Sequence, residues 1–314
     1  MNHVSRYLNQ SVFSDPGESA PWIAALPADL PTLHRAANQM VFHYGHRDRF
    51  SDHGIAEERL GEIDTRYASD MFRLVRGLAD LPLGTDRDPA QRMVGCCRDY
   101  TLFLVAMARH HGIPARSRVG FASYFSPGWM IDHVVAEIWD AGAGRWRLVD
   151  ANLDVGHVDP SDGQVLDVLD VPRDRFLVAS DAWRRGRSGA ADPARFVVSP
   201  DLDVPQLRGW PYLLHNLLMD LAALDRWELI LWDVWGVGAQ ADPPRDAELA
   251  RLDELAADLK SAEPTAGMIE RWIAEEEFRI PEVVTAWSPT TPGRSHQVTL
   301  RQQIERHGKT PPTT

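Results

Sequence analysis

Three separated segments of the sequence carry side chains that together predict a nucleophilic site. A cysteine opens an apolar stretch at Cys97, a histidine opens a strand-like run at His133, and an aspartate closes the next such run at Asp150. The thiolate is the reactive form of cysteine, and the partial positive charge of a helix N-terminus favours it. A histidine takes the thiol proton, and a carboxylate on the other ring nitrogen fixes the tautomer. These residue types predict Cys97 as nucleophile, His133 as base and Asp150 as the residue that orients the histidine.

Hydrophobic periodicity predicts the elements that hold these residues. Residues 97–111 are broadly apolar, as in a buried helix, and Gly112 is typical of the residue that follows a helix. Three strand-like runs follow, at residues 117–121, 133–139 and 146–149. A glycine-containing turn separates the last two runs, so we expect His133 and Asp150 near the same end of a hairpin. A helix followed by antiparallel strands predicts the α+β class.

The same stretches resemble the core of transglutaminase-like proteins over residues 60–155. The motifs that carry the resemblance are Gly-Cys-Cys-Arg-Asp-Tyr at 95–100, Gly-Ile-Pro-Ala-Arg at 112–116, Asp-His at 132–133 and Trp-Arg-Leu-Val-Asp at 146–150. The resemblance implies a papain-like fold, in which the nucleophile helix packs on an antiparallel sheet. One departure is that Ala151 follows the aspartate, where the family often has proline. Residues 220–236 are similar to the tail of a bacterial branch with few assigned functions, so the resemblance implies a mechanism better than a substrate.

The chemistry that the resemblance implies is acyl transfer at an amide or thioester carbonyl through a covalent thioester. Water as the acceptor gives an amidohydrolase, and an amine gives a transamidase or amide synthase. The sequence leaves both open, and the acyl donor is a small molecule, a peptide or a protein. The alternative from another class is a binding or scaffold protein that keeps the fold without turnover. No cofactor is needed, and no metal is expected, because His43, His46 and His53 match no strong ligand spacing.

Further candidates surround the three catalytic residues. One oxyanion donor is expected to be the N–H of Cys97, and Gln91 is a candidate for the second. Gln91 precedes the nucleophile at the spacing of the oxyanion glutamine of papain-like enzymes. Tyr124 and Trp129 lie between the first two strands and are predicted to contact substrate, although a loop that only packs is an equal alternative. Cys96 is interpreted as an inert buried thiol.

Bulk properties exclude several classes of function. The chain has 314 residues and a net charge of −12, which disfavours nucleic-acid binding. The two cysteines are adjacent, so no disulfide framework is expected. Without a signal-peptide-like start or a long apolar span, the sequence predicts a cytoplasmic protein that does not enter membranes. The oligomeric state stays open.

Changes in sequence character predict three parts. Residues 1–30 are interpreted as an irregular arm, residues 31–200 as the catalytic core and residues 201–314 as a mainly helical segment. Outside the catalytic motifs, helical spacing predicts helices near residues 33–44, 66–78, 213–231 and 249–259.

Overall fold

The main sheet has five strands in the computed structural model, which describes residues 4–239, 245–260 and 264–302. Its strands run in the order β5-β4-β3-β6 with antiparallel pairing, and β7 pairs parallel to the start of β4. The strands are β1 Val41–His43, β2 Met93–Gly95, β3 Ala115–Ala122, β4 Met130–Asp140, β5 Arg145–Val149, β6 Phe176–Val178, β7 Phe196–Val197, β8 Asp233–Val234, β9 Val283–Ala286 and β10 His296–Thr299. β1 and β2 form a parallel pair, and β8, β9 and β10 form a separate three-stranded sheet.

The helices pack around this sheet. They are α1 Ala20–Ala24, α2 Leu30–Met40, α3 Ala68–Leu78, α4 Cys97–His110, α5 Ala179–Arg187, α6 Gly209–Leu224, α7 Asp246–Leu259 and α8 Ala266–Ala274. Every residue of α4 from Cys97 to Arg109 is buried, which explains its nearly continuous apolar sequence. The helix ends before Gly112, whose φ of 72° lies in the left-handed region that glycine tolerates. The α+β class is therefore confirmed, with the nucleophile helix packed on an antiparallel sheet.

Two predicted helices end earlier in the structure than in the sequence interpretation. The helix predicted at residues 33–44 ends at Met40, because the next three residues form β1 and pair with β2. The helix predicted at residues 213–231 ends at Leu224, and Arg226 adopts a positive φ of 67°. No glycine or proline marks that turn, so the local sequence gave no sign of it.

Contacts cross both predicted boundaries, at residues 30 and 200. The Tyr7 hydroxyl donates to the Leu224 carbonyl at 2.9 Å, joining the first residues to α6. In α6, the Asp220 carboxylate accepts two hydrogen bonds from the buried Arg118 guanidinium of β3, at 3.0 and 2.9 Å. The division into three parts stays a prediction, and residues 303–314 of the third part lie outside the described residues. None of the described helices has the length and apolar character needed to cross a membrane.

Candidate active site

The start of α4 is fixed by buried polar contacts on both sides of Cys97. The Asp99 carboxylate, at the third helical position, accepts the Cys96 N–H at 2.8 Å. Beside it, the Arg98 guanidinium donates to Asp99 at 3.0 Å and to the Glu228 carbonyl at 3.1 Å. Because α4 begins at Cys97, the Cys97 N–H has no helical carbonyl to bind, and it lies at the positive end of the helix dipole.

The structure brings the three predicted catalytic residues together. The His133 side chain lies beside the Cys97 thiol and lowers its pKa. On its other side, His133 donates from Nε2 to Asp150 Oδ2 at 2.8 Å. Strands β4 and β5 pair through Ala136 and Val149, which places the aspartate just past the end of the hairpin. Cys97 is 5% exposed, His133 2% and Asp150 0%, so the series lies almost entirely out of water.

Asp150 is held by four further hydrogen bonds. The Tyr124 hydroxyl donates to Oδ2 at 2.8 Å, and the Asn152 N–H donates to Oδ1 at 3.0 Å. The Asp150 carbonyl accepts from His34 Nε2 at 2.9 Å, and its N–H donates to the Val168 carbonyl at 2.8 Å. A carboxylate fixed in this way holds the imidazole in one orientation.

The electrostatics favour a thiolate–imidazolium pair. The pKa of Cys97 is held well below its usual value, first by a hydrogen bond from the Cys96 thiol and then by those from His133 and His43, against the effect of burial. The same contact, with burial, raises the pKa of Cys96, so Cys97 ionises first. Burial alone would lower the pKa of His133, but the charge and hydrogen bond of Asp150, with Cys97, raise it to about 10. The imidazolium therefore persists at neutral pH beside the thiolate.

The loop before β4 contributes differently from the sequence interpretation. Tyr124 is fully buried and its hydroxyl lies on the aspartate, so it has no free face for a substrate and acts as a positioning residue. Trp129 is half-buried, and the Arg195 guanidinium lies 4.9 Å from the centre of its ring. Phe125, also half-buried, meets the His133 ring edge-on at 4.8 Å. Phe125 thus keeps partly exposed surface beside the catalytic histidine, and the predicted substrate contact of Trp129 stays a prediction.

Gln91 has a local backbone role in the structure. Its side-chain carbonyl accepts the Asp88 N–H at 3.1 Å, and it closes a short 3-10 helix that begins at Pro89. Across the described residues, no hydrogen bond joins the Gln91 amide to Cys97. Its oxyanion role stays a prediction without a contact to support it.

His43 is the residue near the nucleophile that sequence reasoning missed. It ends β1, where it is paired with Gly95 of β2, and its side chain is one of the groups that lower the pKa of the Cys97 thiol. The sequence singled it out only as one of several histidines without ligand spacing, because the parallel pairing that brings it here leaves no local pattern. In the described part of the chain, no three His, Cys, Asp or Glu side chains are grouped so that they could hold a metal.

A second acid, the half-buried Asp132, lies beside the site. Its two carboxylate oxygens accept hydrogen bonds from Asn216 and from the Tyr212 hydroxyl of α6, both at 2.8 Å. Burial, followed by the charge of Cys97, raises the pKa of Asp132 to about 7 despite those bonds. The carboxylate thus connects α6 to the strand that carries His133.

Comparison with known proteins finds a family model that matches one segment of the chain. Residues 84–151 match the model of the transglutaminase-like superfamily, and the matched segment includes Cys97, His133 and Asp150. A solved structure from Cytophaga hutchinsonii, provisionally named a cysteine protease, is 16% identical with a TM-score of 0.26. That match covers 57% of this chain and 46% of the other, so the chain spans less than half the length of that protein. No curated protein matches the chain.

Proposed function

From the membership of residues 84–151 in the transglutaminase-like superfamily, a family of cysteine-dependent catalysts, we propose that this chain transfers acyl groups at an amide or thioester carbonyl. The observation that carries the proposal is the hydrogen-bonded series of Cys97, His133 and Asp150 at the start of a buried helix. A depressed thiol pKa beside a raised imidazole pKa is the condition that a cysteine nucleophile requires.

In the first half of the reaction, the Cys97 thiolate attacks the carbonyl carbon of the donor. A carbon–sulfur bond forms, and the carbonyl electron pair moves to oxygen. The Cys97 N–H, free at the helix start, stabilises that oxyanion. When the carbonyl re-forms, the bond to the leaving nitrogen or sulfur breaks, and the leaving group takes the proton from His133. The product of this half is a thioester on Cys97.

The second half reverses the roles. Water or an amine attacks the thioester and gives its proton to His133, and the Cys97 thiolate leaves. Asp150 accepts the hydrogen bond from Nε2 of His133, so the other ring nitrogen faces the sulfur. The outcome is hydrolysis when water reaches the thioester on Cys97 first, and transfer when an amine does.

The experiment that tests the proposal is intact-protein mass spectrometry after exposure to thioester and amide donors, with and without an added primary amine. We expect wild type to gain one acyl group, and Cys97→Ala to gain none. Faster loss of the adduct with amine would identify a transferase, and loss at the same rate an amidohydrolase. If no donor acylates wild type and its thiol shows ordinary reactivity, the proposal is wrong and a binding or scaffold role replaces it.

A further inference from the structure

We propose that His43 is a catalytic residue that supplies the second hydrogen-bond donor of the oxyanion hole, from Nε2–H, opposite the N–H of Cys97. The inference rests on the proposed acyl transfer. It assigns that role to a residue at the end of β1 instead of Gln91, the candidate from the sequence.

The tautomer of His43 follows from its backbone contact. The Gly45 N–H donates to Nδ1 of His43 at 3.0 Å, so Nδ1 accepts and carries no proton. A neutral imidazole that accepts at Nδ1 holds its proton on Nε2. Since Nδ1 is occupied, Nε2–H is the donor that His43 can offer to the Cys97 sulfur, whose pKa it lowers.

The ring is held firmly in this position. Pairing with Gly95 fixes the backbone of His43 beside the start of α4. A Cβ at Gly45 would lie 2.8 Å from Nδ1, so only glycine leaves room for the ring to fold back onto the chain. The imidazole is nearly parallel to the rings of Tyr44, at 5.3 Å, and Tyr100, at 6.5 Å. A donor held by strand pairing and ring contacts costs little reorganisation when charge develops.

His43 is better placed to bind an oxyanion than to act as a second base. His133 already serves as the proton acceptor for Cys97 and has a carboxylate partner. Across the described residues, no carboxylate hydrogen-bonds the His43 ring, so His43 lacks the partner that orients His133 as a base. When Cys97 attacks, sulfur and oxyanion are bonded to the same carbon. A donor aimed at the sulfur in the free enzyme is therefore within reach of the oxygen in the intermediate.

The test separates thiol activation from oxyanion stabilisation by two reactions of the same cysteine. Alkylation by iodoacetamide forms no oxyanion, whereas acylation by a thioester donor does. For His43→Ala we expect acylation to slow by about 100- to 1,000-fold, the usual effect of losing one oxyanion donor, while alkylation changes by less than about tenfold. His43→Gln, which keeps a side-chain donor, should recover part of the acylation rate. The matched control is His46→Ala, which removes an exposed neighbouring imidazole and should leave both rates unchanged.

Gly45→Ala provides an independent variant, because it displaces the ring without deleting it, and acylation should fall selectively here too. Equal losses of alkylation and acylation in His43→Ala would show that His43 activates the thiol, which overturns the inference. Unchanged acylation in His43→Ala would also overturn it while leaving the acyl-transfer proposal intact. Failure of wild type and His46→Ala to acylate with any donor would instead refute the proposed function, and this inference with it.

Discussion

Replacing Asp150 with asparagine should change how Cys97 reacts with pH. His133 donates to Asp150 at 2.8 Å in a site where both are buried, and the aspartate is the main cause that raises the pKa of His133 from 6.5 to about 10. Without that charge, burial lowers the pKa of His133, so the imidazolium is lost at pH 7. Cys97 then loses its charged partner and moves towards the ordinary thiol pKa of about 8.5.

The magnitude follows from the fraction of thiolate. A thiol with a pKa of about 8.5 is roughly 3% ionised at pH 7, so alkylation of Asp150→Asn can fall by up to about 30-fold. The hydrogen bond from Cys96 remains and moderates the loss, so we expect a decrease of about 10- to 30-fold. The variant should regain rate as the pH rises from 7 to 9, because its thiol ionises there. Wild type should keep a nearly constant rate over the same range, because its thiolate is already formed.

The assay is the rate of iodoacetamide alkylation of Cys97, followed by intact mass between pH 5 and pH 9, with thermal unfolding to check the fold. Tyr124→Phe is the matched control, because it removes one 2.8 Å hydrogen bond to Asp150 but keeps the charge. That control should retain the flat pH profile of wild type. An Asp150→Asn variant that folds and alkylates with the wild-type rate and profile would refute the electrostatic reasoning.

Two further predictions concern the surroundings of the nucleophile. Gly95→Ala should lower the free energy of unfolding by roughly 1–3 kcal/mol in urea titrations, because the alanine Cβ would lie 2.8 Å from both the Asp99 carboxylate and Val41. An unchanged midpoint of urea unfolding would contradict this close packing. As the pH rises from 5 to 8, the free energy of unfolding of Asp132→Asn should increase relative to that of wild type by roughly 1–3 kcal/mol. The pKa of Asp132 is raised from 3.8 to about 7, so the protonated carboxyl stabilises wild type at low pH, and this stability is lost as the pH rises through about 7. A difference in stability between the two proteins that stays constant from pH 5 to pH 8 would disprove this prediction.

Local patterns predicted the elements of the site well. The apolar run after Cys97 and the glycine that follows it define α4 within a residue or two, because both signals lie inside the helix itself. The hairpin that joins His133 to Asp150 was equally predictable, since one short turn fixes which residues meet. The α+β class followed from these same segments and is confirmed, and the match of residues 84–151 to the superfamily model agrees with the resemblance.

Contacts between segments that are far apart in the chain could not be predicted from the sequence. His43 reaches Cys97 through a parallel pair of three-residue strands, and strands this short have no periodicity to recognise. The inward direction of the Tyr124 hydroxyl depends on Asp150, which follows the second strand after it, β5. The end of α6 before Arg226 is a third case, because a non-glycine residue adopts the left-handed conformation there. In each case tertiary contacts decide what local propensity leaves open.

The central claim is that Cys97, and not its neighbour Cys96, becomes acylated. The most direct measurement is peptide mapping of the acyl group after a single turnover of wild type, Cys96→Ala and Cys97→Ala with a thioester donor. The account predicts the label on residue 97 in wild type and in Cys96→Ala, and none in Cys97→Ala, because the Cys96 thiol is the one whose pKa is raised. Label on Cys96, or labelling that survives Cys97→Ala, would contradict it.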